Sequence, residues 1–292
     1  MEWLMMAMPV MAALIFALMF THARQDSRHR AGLSLRESLA ACRGLLMLIA
    51  GIQQHRGLSS AWLAGDGSFR ARLTALEDDI ARRLPALLVA IRDEARQPAP
   101  CLTANEVALF GHRWRTLCER LGDLSIEQSV AQHTMMIEML LKWLQGLGEA
   151  RIEPLVPEAG RTLVRDCLIR LQAITECLGQ ARALGMSVAA RRGCPAVSRV
   201  RLMFLLARAE SLLKQVNDQG ERASAAHAAI QHMARIIRTQ MLHASGITVS
   251  PQDFFSVSTA AIDAVFAWIG DGVDLLAGHL PQESLHATVY AH

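Results

Sequence analysis

The chain has 292 residues, 52% of them apolar, with nine Pro, one Tyr and a mean hydropathy of +0.22, a composition that excludes intrinsic disorder. Thirty basic residues against 27 acidic ones leave a net charge of +3, too balanced for the one-signed field of a nucleic-acid-binding surface; all the basic residues except Lys142 and Lys214 are arginine. The scarcity of Gly, Pro and aromatic residues argues against a turn-rich β design and for an all-α protein. Cys42, Cys101, Cys118, Cys167, Cys177 and Cys194 lie in apolar stretches without ligand spacing and read as buried free thiols of a reducing compartment.

The first element is the uninterrupted apolar run from Trp3 to Phe20, which is long enough to cross the hydrocarbon core of a bilayer. It predicts a transmembrane anchor over residues 1–22 rather than a cleaved signal peptide, because no basic residue precedes it and Thr21-His22-Ala23 is a poor cleavage site. Arg24, Arg28, Arg30 and Arg36 follow, with a basic juxtamembrane linker over 23–32. Their side of the bilayer should face inward, giving a single-pass inner-membrane protein whose bulk is cytoplasmic; the periplasm is the alternative.

From residue 33 onward an apolar period of three and four predicts eight helices. The first runs from Leu33 to Ala64 and stops at Gly65-Asp66-Gly67; the second reaches Arg96, before Gln97-Pro98-Ala99-Pro100. Thr103 with Glu106 and Ser125 with Gln128 are capping boxes that open the third and fourth helices, the fourth reaching Gly148. Pro154 and Pro157 break the chain. A fifth helix then extends to Arg192, a sixth to Gly220 and a seventh to His243, and Ser250-Pro251 opens an eighth that ends near Gly278. Short connections predict two consecutive up-and-down four-helix bundles, over 33–150 and 158–280, followed by a tail over 281–292.

Two apolar stripes are interrupted by polar residues. In the first helix one stripe is Leu39, Cys42, Leu46, Ile49, Gln53, Arg56, Ser60 and Leu63, and its neighbour is Leu45, Leu48, Ile52, His55, Ser59 and Trp62. In the fifth the stripe is Val164, Leu168, Leu171, Thr175, Leu178, Arg182, Gly185 and Ala189. Aligning Arg56 with Arg182 also matches Gln54 with Gln180 and Leu58 with Leu184, a short internal repeat. A guanidinium on a buried stripe keeps its proton and needs an anionic partner, from the protein or from a ligand. The first helix supplies none between Glu37 and Asp66. Either each arginine reaches the surface or a carboxylate on another helix, or the pair forms a small-anion site.

The segment from Gln53 to Ser60, with Leu63-Ala64-Gly65 behind it, resembles the opening signature of the nitrate- and nitrite-sensing (NIT) domain family, although His55 stands where that family carries an acid. Gln180-Ala181-Arg182-Ala183-Leu184 resembles its second arginine motif, and Ser250 to Phe255 with Thr259, Ile262 and Asp263 resembles its last helix. The resemblance covers roughly Leu33 to Leu276. It implies an all-helical sensor of two bundles that holds nitrate or nitrite with arginines from both halves: Arg56, Arg182 and, in the later helices, Arg238 or Arg235. Gln53 and Ser60 lie within a turn of Arg56 as neutral donors, while Gly57 and Gly185 permit close helix approach.

No hydrolase, metalloprotease, phosphate-loop or dinucleotide fingerprint occurs, and Ser211-Leu212-Leu213-Lys214 stands without partner motifs. His227 and His232 lack the spacing of two ligands on one helix face, and the Thr134 to Met139 tract reads as core filling. No catalytic residue, metal or cofactor is expected. The expected function is a membrane-anchored nitrate or nitrite sensor that signals through a separate protein, with the long first helix as a homodimer surface. The competing reading is a ligand-free helical scaffold whose arginines are structural.

Overall fold

A computed structural model of the chain describes residues 2–95, 100–217 and 220–278, with side chains from Leu33 onward except at a few positions between 86 and 95. Among the described residues every regular element is helical. Helix α1 (Glu2–Leu63) passes without a break through 23–32, the stretch expected as a basic juxtamembrane linker. That stretch contains no proline, and its arginines, alanines and glutamine are good helix formers. The apolar run Trp3–Phe20 belongs to the part of α1 whose side chains lie outside those described; among the residues whose side chains are described, no helix is long and apolar enough to cross a membrane. The expected tail over 281–292 lies outside the described residues.

The helix boundaries follow local chemistry. Helix α1 ends at Gly65, whose φ of +105° suits glycine, and the Asp66 carboxylate then accepts from Ser68 N to start a short 3-10 turn, Gly67–Phe69. Helix α2 (Arg70–Ala95) follows. Reciprocal capping boxes open α3 (Ala104–Glu119) and α4 (Ile126–Leu147): Glu106 N donates to Thr103 Oγ1 at 3.3 Å, and Gln128 N to Ser125 Oγ at 3.1 Å. A π turn, Gly148–Ile152, and a 3-10 turn containing Pro154 end this half. Helix α5 (Glu158–Arg165) continues through the π turn Asp166–Arg170 into α6 (Leu171–Ala190), together the expected fifth helix. Helix α7 (Ala196–Leu213) stops short of Gly220; α8 (Glu221–Ile236) runs into a π turn, Ile237–Met241; and Ser250 caps α9 (Pro251–Ala277).

Helices α1 and α6 lie side by side at the centre. Helix α1 also packs on α2 and α4, and α6 also packs on α7 and α9, with α8 covering α9. Flanked on several sides, each central helix must bury more than one stripe. That is why Leu45, Ile49, Ile52, His55, Arg56 and Ser59 on α1 are all fully buried, as are Leu171, Thr175 and Leu178 on α6. Each buried leucine or isoleucine contributes about 1.5–3 kcal/mol. The polar groups carried into the same interior therefore have to find partners there.

Candidate functional site

The two arginines predicted to interrupt apolar stripes are among the largest fully buried side chains of the molecule, Arg56 at 0% and Arg182 at 2% exposure. They meet where α1 crosses α6, each lying against a glycine of the facing helix. A Cβ on Gly57 would stand 2.9 Å from Arg182 Nε, and one on Gly179 would stand 2.7 Å from Arg56 Nη2. Only glycine leaves room for a guanidinium at that distance from the opposite backbone. Gly185 serves another contact, with the Phe254 ring filling the space its side chain would occupy.

The partners of the two cations are unequal. Arg56 grips Glu176 of α6 with both terminal nitrogens, Nη1 to Oε1 at 2.7 Å and Nη2 to Oε2 at 2.9 Å, and donates to Thr134 Oγ1 at 2.8 Å. Glu176 also accepts from Gln53 Nε2 at 3.1 Å and Gln180 Nε2 at 2.8 Å. The acid missing from α1 is thus supplied across the interface, in the bidentate geometry that favours Arg over Lys.

Arg182 donates from Nη1 to Thr259 Oγ1 at 3.1 Å and lies over the Phe255 ring, 5.4 Å from its centroid, but among the described residues no carboxylate is within ion-pair distance. Its Nε is buried without a hydrogen-bond partner, and so are Arg56 Nε and Gln53 Oε1. Burial, and then the neighbouring Arg56 charge, pull the Arg182 pKa down to about 9, with Asp263 and Glu176 acting weakly in the other direction. It is still a cation at neutral pH. Two buried positive charges therefore share one buried carboxylate, an excess of one positive charge in a region with orphaned N–H donors.

The remaining predicted residues divide. Gln53 is drawn into the centre, whereas Ser60 spends its proton on the Arg56 carbonyl oxygen of its own helix, at 2.8 Å. Arg238 is not brought to the pair: it is exposed and donates to both oxygens of Glu210, each at 2.8 Å, and Arg235 is exposed as well. Arg235 and Arg238, three residues apart, both emerge on the exposed side, so neither reaches the buried pair. His227 packs beside Trp268, and His232 is exposed. The sequence reading missed Glu176, Thr134 and Gly179, and it named Thr259 and Phe255 only as part of the last-helix motif, without a place beside Arg182. Glu176 was legible in part, four residues before Gln180 on a helix whose other faces are apolar, but only the crossing with α1 shows which cation it serves.

Comparison with known proteins bears on the fold and the family. No curated protein matches the sequence. One solved structure, that of the NasR transcription antiterminator, shares the fold at a TM-score of 0.68 and 18% sequence identity, over 90% of this chain and 73% of that one. The family model for nitrate and nitrite sensing matches residues 47–272, an interval that holds both arginine segments and the interface between them. The chain belongs to the nitrate- and nitrite-sensing (NIT) domain family.

Proposed function

We propose that the chain binds nitrate or nitrite at the α1–α6 crossing, with Arg56 and Arg182 as the two cationic sides of the site and Gln53 and Gly57 completing it. The observation that carries this reading is the charge balance: two buried guanidinium groups and one buried carboxylate leave room for one monovalent anion. Nitrate is planar, singly charged and weakly hydrated, so it loses less on desolvation than phosphate, and its oxygens match the edges of guanidinium forks. The buried Nε–H groups of both arginines are donors that no acceptor among the described residues uses. With four non-hydrogen atoms at about 1.5 kcal/mol each, binding is limited to roughly 6 kcal/mol, a Kd on the order of tens of micromolar.

Glu176 makes the site a two-state device. It holds Arg56 in the absence of ligand and competes with an incoming anion for the same nitrogens. Because Arg56 and Glu176 stand on different central helices, loosening their contact changes how α1 sits on α6, and the two halves of the molecule meet largely along these helices. The change would be read by a separate signalling protein, with the apolar N-terminus of α1 holding the sensor at the inner membrane. Titration calorimetry with nitrate on the wild type and on Arg182→Ala tests the site: binding in the wild type and none in the variant supports it. The scaffold reading requires that neither protein bind and that Arg182→Ala fail to fold.

A further inference from the structure

One residue before Arg56, the side chain that departs from the family pattern opens a second buried network. His55, fully buried on α1, has Nδ1 2.7 Å from His133 Nε2 on α4 and Nε2 3.1 Å from Glu77 Oε1 on α2. His133 Nδ1 in turn lies 2.7 Å from the Ser129 carbonyl oxygen. A carbonyl only accepts, so His133 Nδ1 carries a proton; the contact between the two rings needs one more, and the contact to Glu77 a third. Two neutral imidazoles and a carboxylate supply only two. The Glu77–His55–His133 chain therefore closes only with one additional cation between His55 Nε2 and the Glu77 carboxylate, a proton or a metal ion.

The surroundings favour a metal. Cys118 of α3 brings its sulfur to the same place, and the ligand atoms of His55, Glu77 and Cys118 all lie within 4.8 Å of one another. Around a tetrahedral zinc-class ion, ligand atoms about 2.0–2.3 Å from the metal stand about 3.3–3.8 Å apart, so side-chain adjustments of an ångström or less complete the set. The outer contacts already have the form that metal sites need. His55 Nδ1–H donates to His133, and His133 Nδ1–H to a backbone carbonyl, which fixes the ring with its Nε2 lone pair toward the other two ligands. Glu77 and Cys118 also line a groove of about 610 Å³ between α2 and α3, together with Pro85, Trp114 and Arg115, so a fourth position would face an accessible space.

We propose that His55, Glu77 and Cys118 form a three-ligand site for a zinc-class divalent ion, with His133 as a positioning residue and the fourth position open to the groove. Nitrogen, oxygen and thiolate sulfur together suit an ion of intermediate softness. Binding displaces the proton shared by the network and the Cys118 thiol proton, so about two protons leave per ion bound.

The test is titration of the chelator-treated full chain with Co²⁺ alone, followed by Zn²⁺. One Co²⁺ per chain should bind with a thiolate-to-cobalt charge-transfer absorption that Zn²⁺ displaces. Cys118→Ser should lose that absorption, Glu77→Gln should bind at least about tenfold more weakly, and His133→Gln should fall about 10–100-fold, the usual range for outer partners of ligating histidines. Cys118 and Glu77 are both partly exposed, and circular dichroism establishes that the variants keep their helices. Absence of saturable Co²⁺ binding, or an absorption and affinity unchanged in Cys118→Ser, would overturn the proposal. So would a proton found on His55 Nε2 by NMR with excess Zn²⁺ present, since the network would then be closed by a proton.

Discussion

Arg56 and Arg182 are alike in sequence pattern and opposite in energetics. Arg56 is compensated, so replacing it by Ala strands the buried Glu176 carboxylate and should cost about 3–5 kcal/mol in denaturant unfolding. Among the described residues Arg182 has no carboxylate at ion-pair distance, so Arg182→Ala removes an unfavourable buried charge and should leave stability near or above that of the wild type. Glu176→Gln removes the competitor for Arg56 and raises the local positive excess; nitrate affinity should increase about tenfold while stability without ligand falls. An unchanged or weaker affinity would show that Glu176 does not compete with the anion. The pH dependence follows from the depressed pKa of Arg182. Below about 9 it is charged in both folded and unfolded chains, and its burial penalty is fully present; above that value the folded chain releases the proton before the unfolded one does, and the penalty fades. Since the anion needs the cation, affinity measured by calorimetry should be level from pH 6 to 8 and decline above about 9. Cys42 and Cys167, pushed up to about 12 mainly by burial, should resist alkylation in the native state.

At the scale of elements, the helix count and most boundaries were legible because caps and breakers act locally: Thr103, Ser125, Ser250, Gly65 and the Pro154–Pro157 break need no tertiary context. Thr103→Ala should therefore cost about 1 kcal/mol, read as a shift in the urea midpoint with unchanged slope. What periodicity could not show was which helices cover the two stripes of α1, namely α2, α4 and α6. The site was half legible for the same reason. Arg56, Arg182 and Gln53 sit on interrupted apolar stripes and Gly57 directly follows Arg56, whereas Glu176 and Gly179 acquire meaning only at the crossing. Gly57→Ala tests that crossing directly. Its methyl group would push Arg182 from α1, so nitrate binding should fall at least tenfold while helical content is kept; undiminished binding would place the anion elsewhere.

For the whole molecule, α1 joins what each end does. Its apolar start is the segment read as an anchor, its C-terminal part holds His55 and Arg56, and the turn that follows it is tied to α9 through Gln252 Nε2 donating to Asp66 Oδ2 at 2.8 Å. A reporter fused after His292 should be active in the cytoplasm; activity in the periplasm alone would reverse the topology. A sensor must also change shape, because a ligand with equal affinity for two arrangements shifts neither. Nitrate should therefore alter amide exchange along the α1–α6 interface. The most direct measurement is calorimetry of nitrate against wild type, Arg56→Ala and Arg182→Ala, with unfolding followed for each. An anion site at the crossing predicts saturable binding in the tens of micromolar to millimolar range for the wild type, and none for either variant although Arg182→Ala remains folded and cooperative. Wild-type affinity in Arg182→Ala would contradict it.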